Sequence, residues 1–125
     1  MNYGQISRFN KINDNLFLNQ FIIFDRKFLF YIEGNTGVYE VKLSKINGNI
    51  RCNCPDMFIC TFLNNICKHC CYVIFNILSF NYNNKKNQVY FKINGQRLTT
   101  NFFTDLVFSQ EELQYIEKII SLKFN

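Results

Sequence analysis

Arg51-Cys52-Asn53-Cys54-Pro55-Asp56 and, after an apolar interval, Cys67-Lys68-His69-Cys70-Cys71 are the residues that decide how this chain is built. Twelve residues separate Cys54 from Cys67, and His69 is the only histidine in the chain. On a strand, side chains at i and i+2 point to the same side, so Cys52 and Cys54 can turn both thiolates toward one ion. On an ideal helix the same offset places side chains about 200° apart. Cys67 is therefore expected just before a helix and His69 in its first turn. Zinc takes four soft or borderline ligands in a tetrahedron. Cys52, Cys54, Cys67 and His69 supply that set. A lone histidine among core cysteines is the plainer alternative, but here two cysteine pairs flank it at matching offsets. Four protein ligands leave no open position, so the site reads as structural. Zinc binding in small fingers stabilises them by on the order of 10 kcal/mol. Three thiolates and a neutral imidazole around Zn²⁺ leave one net negative charge, which Arg51 and Lys68 are placed to offset.

Upstream of the first pair, Val38 to Leu43 alternates like a half-buried strand. Asn47-Gly48 marks a tight turn, and Ile50 to Cys52 is the short returning strand. Glu33-Gly34-Asn35-Thr36-Gly37 is a strong turn signal. Phe17 to Ile32 reads as a hairpin with its turn near Asp25. Residues 1–15 are polar with isolated apolar positions and read as an irregular arm. The interval 52–69 reads as a cysteine-rich loop. Downstream, Cys70, Val73, Ile74, Ile77 and Leu78 form a helical apolar stripe, with Tyr72, Phe75 and Phe80 adding apolar surface beside it. Such a helix is either buried on most sides or covered by a partner. Residues 81–87 are a polar linker, and Val89 to Ile93 is a further strand ending at Asn94-Gly95. The last element is a helix. Ser109 and Glu112 form a capping box, and Phe108 and Leu113 occupy the hydrophobic-staple positions. Leu113, Ile116 and Ile120 give that helix one apolar face, and Lys118 and Lys123 suit its C-terminal end.

These elements predict an α+β fold, a small zinc-stabilised domain in which antiparallel hairpins lead into a helix. The expected organisation is an arm over 1–15, hairpins plus a zinc finger over 16–80, and a strand and capped helix over 81–125 packing on the finger.

The stretch from about Phe28 to Leu78 resembles the SWIM zinc finger. The matching residues are Tyr39-Glu40-Val41, Cys52-Asn53-Cys54-Pro55-Asp56 and Cys67-Lys68-His69, followed by the apolar helix. The resemblance implies a ββα arrangement clamped by zinc. It also implies a DNA-binding or protein-binding role, since the family occurs in transposases, chromatin-remodelling ATPases, recombination cofactors and ubiquitin-ligase subunits. Cys60, Cys70 and Cys71 depart from the pattern. Cys60 is a possible competing ligand; the reading preferred for all three is that of small buried hydrophobes. No second cysteine-rich set follows His69, so nothing here suggests a RING-type ligase.

The 125 residues, 48% of them hydrophobic, allow one domain with a real core. Asn, Lys, Ile, Phe and Tyr are enriched together, which suggests an AT-rich genome such as that of a giant virus. No segment has eighteen or more uncharged apolar residues, so no membrane is expected. The N-terminal residues lack the apolar region of a secretory signal. Those two observations point to an intracellular setting (nucleus, cytoplasm or viral factory), where cysteines are free or metal-bound.

The net charge is +5, and no acidic residue lies between Asp56 and Asp105, a stretch that holds Lys68, Lys85, Lys86, Lys92 and Arg97. A solvated loop kept soluble by its lysines is the common explanation. The functional alternative is nucleic-acid binding, DNA or RNA. In that case Lys45, Arg51, Lys68, Lys85 and Lys86 would contact phosphates, with weak sequence preference. Tyr82, Tyr90, Phe91, Phe102 and Phe103 would offer stacking surfaces, or else pack in the core. The second alternative is an accessory subunit docking onto a larger protein assembly through the apolar helix at 70–80. A recombination cofactor, a polymerase subunit and a ligase adaptor all fit it. No enzyme is expected. The only histidine is committed to metal, no phosphate-binding glycine loop is present, and Glu111-Glu112 is explained by helix capping.

Overall fold

A computed structural model describes residues 1–13 and 15–124; the parts of the expected terminal segments that fall on Asp14 and Asn125 lie outside them. Among the described residues the chain is mixed α+β, with two antiparallel sheets and five α-helices. Strands β1 (Phe17–Ile23), β2 (Lys27–Gly34), β3 (Gly37–Ser44) and β4 (Ile50–Cys52) form a meander in sequence order. The turns fall where the sequence places them. Phe28, Phe30 and Ile32 on β2 and Val41 and Leu43 on β3 are buried on one face of the sheet, and Leu29 on the opposite face of β2 is buried as well. Residues opposite one another in an antiparallel pair share a face. Cys52 pairs with Val41, and Ile50 with Leu43. The pleat therefore turns the first cysteine toward the core side of the sheet.

The interval 52–69 is not a loop. It carries helix α2 (Pro55–Leu63), which ends on Asn64 in the left-handed conformation. Pro55 at the first helical position and Asp56 in the first turn are good starting residues. The chain then bends by 87° into helix α3 (Lys68–Tyr72), which widens into a π-helical turn over Val73–Ile77. Cys70, Val73, Ile74, Ile77 and Leu78 are all buried, and Phe80 joins them. The helix at 70–80 is thus filled by its own core. Tyr72 and Phe75, beside that stripe, are half-buried. No single helix among the described residues is long and apolar enough to cross a membrane.

The second sheet also exceeds the expectation. Strand β6 (Gln88–Ile93) was expected. It is flanked by β5 (Asn81–Asn83), within the supposed linker, and by β7 (Gln96–Thr100). Asn94 and Gly95 both have positive φ, 51° and 80°, the pattern of a two-residue type I′ hairpin. Helix α4 (Phe102–Asp105) leads to α5 (Gln110–Phe124). The capping box on α5 is made in both directions. The Ser109 hydroxyl accepts from Glu112 N–H at 3.1 Å, and the Glu112 carboxylate accepts from Ser109 N–H at 2.8 Å. Leu113, Ile116 and Ile120 are buried as its apolar face.

One aromatic cluster joins this sheet to α5. Phe80 lies 5.2 Å from Phe91 and 5.6 Å from Phe108, and Phe91 lies 4.6 Å from Tyr115, between ring centroids. Gly48 ties the β3–β4 turn to the segment that leads into α5. Its carbonyl accepts from Phe108 N–H at 2.9 Å, and a Cβ there would meet Phe108 O at 2.1 Å. Its φ of 74° also favours glycine.

Residues 1–15 are not an irregular arm either. Asn2 caps helix α1 (Tyr3–Asn10), followed by a 3₁₀ turn at Lys11–Asn13. The cap and two residues of α1 grip the segments that carry the candidate ligands. Asn2 Nδ2 donates to Asn65 Oδ1 at 2.8 Å. Gln5 Nε2 donates to Ile66 O at 3.0 Å, while its Oε1 accepts from Ile66 N–H at 2.7 Å. Arg8 clamps the Asp56 carboxylate with two bonds of 2.7 and 2.9 Å. The spacing of three puts all of them on one side of α1.

Candidate metal centre

Cys52, Cys54, Cys67 and His69 come together with one ligand atom each, all within 4.8 Å of one another. Each arrives by a different local device. Cys52 ends β4 on the core side. Cys54 is the N-cap of α2 and Cys67 the N-cap of α3, both in extended backbone conformation. His69 lies in the first turn of α3, as its spacing from Cys67 predicts. A helix N-terminus carries partial positive charge, so both capping positions suit a negatively charged metal site. Asn53, between the first two ligands, is pinned to β3. Glu40 N–H donates to Asn53 Oδ1 at 2.9 Å, and Asn53 N–H donates to Glu40 O at 3.2 Å.

His69 turns Nδ1 to the sulfurs, 3.7 Å from Cys52 Sγ and 3.8 Å from Cys67 Sγ. A tetrahedral ion with bonds of about 2.3 Å to sulfur and 2.0 Å to nitrogen separates its ligands by roughly 3.5–3.8 Å. The donor set therefore fits a metal ion. His69 Nε2, on the far side of the ring, is buried without a hydrogen-bond partner among the described residues. The Tyr39 ring packs 4.8 Å from the His69 ring and helps close the site to water.

The electrostatics agree with ligation. Cys54 pushes the Cys52 thiol up, but Cys67, Cys70 and His69 outweigh it and bring Cys52 down to about 6. Cys67 is likewise pushed up by Cys52 and brought down to about 6 by Cys54, Cys70 and His69. Burial lowers His69, yet its three cysteine neighbours raise it overall to about 11. The metal-free cluster thus favours thiolates beside an imidazolium. A cation entering it displaces the imidazolium proton.

The remaining cysteines are buried. Burial pushes Cys60 up to about 12, and raises Cys70 and Cys71 as well. Cys60 faces Asp56 at 3.6 Å, outside the four-ligand set. Cys71 accepts from Gln5 Nε2 at 3.2 Å. Cys70 Sγ lies 3.7 Å from Cys67 Sγ, behind the site.

The basic residues singled out from the sequence lie in several places. Lys45 reaches Glu117 at 3.7 Å and covers the Phe28 ring at 4.4 Å. Arg51 pairs with Lys42 across β3 and β4, and both line a cleft with Arg26 and Lys27. Lys68 lines a pocket of about 350 Å³ beside the metal ligands, with Arg8, Lys11, Tyr39 and Asp56. Lys85 and Lys86 are exposed in the β5–β6 turn, their N–H groups donating to Asn83 Oδ1 at 3.1 and 3.3 Å.

Phe91 and Phe102 are buried, so core packing accounts for them. Tyr90 lies under Arg97, Tyr82 donates to Asn87, and Phe103 stacks on Phe75. The clamp of Asn2, Gln5 and Arg8 on the ligand-bearing segments had no reading from the sequence. Its one local signal is Asn2 as a cap two residues before Gly4.

Comparison of the chain with family models, curated proteins and solved structures finds no match.

Proposed function

We propose that this chain is a non-catalytic nucleic-acid-binding module built on a SWIM-like zinc finger. Zinc is the metal best suited to a tetrahedral set of three thiolates and one imidazole. With four protein ligands it has no open position for chemistry. The observation that carries the binding reading is the cleft of Arg26, Lys27, Lys42 and Arg51. Four cations from the β2–β3–β4 region share it, and no carboxylate lines it. Like charges crowded without a carboxylate suit a ligand that brings negative charge, and a phosphate backbone does so with little dependence on base sequence. Lys45, Lys68, Lys85 and Lys86 belong to the same proposed set at other points of the surface. An intracellular setting and an AT-rich, viral style of genome accompany this reading through composition alone.

The test is fluorescence anisotropy of labelled DNA and RNA, duplex and single-stranded, at two salt concentrations. The expected result is micromolar or tighter binding that weakens steeply with salt, and a Lys42→Glu/Arg51→Glu double variant that weakens duplex binding at least tenfold with zinc content unchanged. Equal affinity in that variant sinks the reading. A second reading, docking onto a larger protein assembly, draws on the exposed apolar face of α2 (Phe58, Ile59, Phe62 and Leu63) in place of the buried helix at 70–80.

A further inference from the structure

Helices α1 and α2 lie antiparallel at the surface, since Asn2 meets Asn65 at one end and Arg8 meets Asp56 at the other. Met57 and Cys60 bury one side of α2. The opposite side carries Pro55, Phe58, Ile59, Phe62 and Leu63, spaced i, i+3, i+4, i+7 and i+8, which is one helical face. Phe58 and Phe62 are 72% and 75% exposed, and Tyr3 on α1 is 92% exposed. These are the three most exposed aromatic rings among the described residues. A contiguous apolar face left in water marks a binding surface.

Its surroundings say what it binds. Pro55 opens the stripe and also lines the pocket that holds Arg8, Lys11 and Lys68. Asp56, the one carboxylate there, is paired with Arg8. Lys11 and Lys68 make no ion pair among the described residues. No acidic residue follows on α2 or up to Asp105. Aromatic rings beside an uncompensated cationic pocket are the two halves of a single-strand site, in which bases stack on rings and the backbone meets lysine and arginine. A second copy of the chain fits less well. The four apolar side chains of α2 offer about 500 Å², short of the roughly 800 Å² per partner of a stable interface. Two copies with a net charge of +5 each would also repel.

We propose that the outer face of α1 and α2, with Tyr3, Phe58 and Phe62 as stacking rings and Lys11 and Lys68 as backbone contacts, is a binding site for single-stranded nucleic acid. This rests on the nucleic-acid reading above and names its preferred substrate. In a duplex the base faces are already stacked on one another, so this face can discriminate between the two forms.

The zinc-loaded full chain is titrated into labelled oligothymidine and oligoadenosine strands of about 20 nucleotides, longer than the usual site per module, and into a matched duplex. A parallel titration uses a strand carrying a fluorescent adenine analogue, whose emission reports stacking. The wild type is expected to bind the single strand more tightly than the duplex and to change the analogue's emission. A Phe58→Ala/Phe62→Ala variant, with zinc content and melting temperature unchanged, is expected to lose about tenfold or more on the single strand and to keep its duplex affinity. If that variant binds both forms like the wild type, the site is overturned while the nucleic-acid reading stands. If the wild type binds neither form, both fall. Binding of the wild type but not the variant to phosphatidylserine vesicles, without single-strand binding, would assign the face to a lipid surface and overturn the proposal. A concentration-dependent dimer by light scattering that the variant abolishes, again without single-strand binding, would assign it to a second copy and overturn it equally.

Discussion

The region around the Cys52, Cys54, Cys67 and His69 cluster and the C-terminal half of this molecule are held together by different physics. At the candidate metal centre, four side chains from a strand end and two helix starts converge on one point. Their mutual repulsion as thiolates is relieved only by a cation. Between the second sheet and α5, Phe80, Phe91, Phe108 and Tyr115 interlock through contacts that are individually weak and numerous. With an ion bound, the first region would gain most of its stability from a few residues. The second spreads it over buried area, so no single residue there should matter as much as a ligand. The buried helix at 70–78 belongs to both and couples them.

The largest effect should follow loss of a ligand. His69→Ala is expected to abolish stoichiometric zinc binding and to unfold the finger, removing on the order of 10 kcal/mol of metal-linked stability. Metal analysis and thermal melting with and without chelator check this, and an unchanged zinc content sinks the ligand assignment. Acid should act on the same bond. Cys52 and Cys67 lie below the ordinary thiol value of 9.0, at about 6. The stability that their lowered values contribute is present above pH 9 and is lost as pH falls through about 6. Zinc retention should therefore drop as pH is lowered past about 6, the reverse of what burial alone would give.

Phe80→Ala comes next, with a cost of about 3–5 kcal/mol from lost burial and an unfilled cavity. It should lower the melting temperature while zinc stays bound at one ion per chain. If it releases zinc as readily as His69→Ala does, the two regions are not separable in the way described. Gln5→Met is expected to be smaller, about 1–3 kcal/mol, because it leaves Ile66 N–H and C=O buried without partners. Hydrogen exchange at Ile66 and Cys67 should report it locally. Ser109→Ala removes one half of the α5 capping box and should cost about 1 kcal/mol, visible in denaturant melting and silent in zinc affinity.

The parts of the structure legible in the sequence are those whose cause is local. Cysteine and histidine offsets placed Cys67 at a helix start and His69 one turn in. The pleat placed Cys52 inward, and Asn94-Gly95 fits the turn it makes. Ser109 and Glu112 announced α5. What was misread has weak local causes. Helix α2 is rich in Phe, Ile, Cys and Thr, which are indifferent helix formers, and only Pro55 and Asp56 hinted at its start. Helix α1 holds Gly4 and few apolar residues, and it forms because Asn2, Gln5 and Arg8 find partners about fifty to sixty positions away. Strand β5 is Tyr82 between two asparagines, with no pattern of its own, paired because β6 offers it an edge.

By itself, then, the sequence determined the four candidate ligands and the hairpins and capped helix around them, because ligand spacing, turn residues and caps act over a few positions. Only the tertiary structure decided which apolar helix is hidden and which is shown. The stripe at 70–78 and the face at 58–63 are both apolar runs of similar length. The stripe of the first is buried in the core, while the face of the second stays exposed on α2. Burial is a property of what the rest of the chain places nearby, and periodicity carries no record of that.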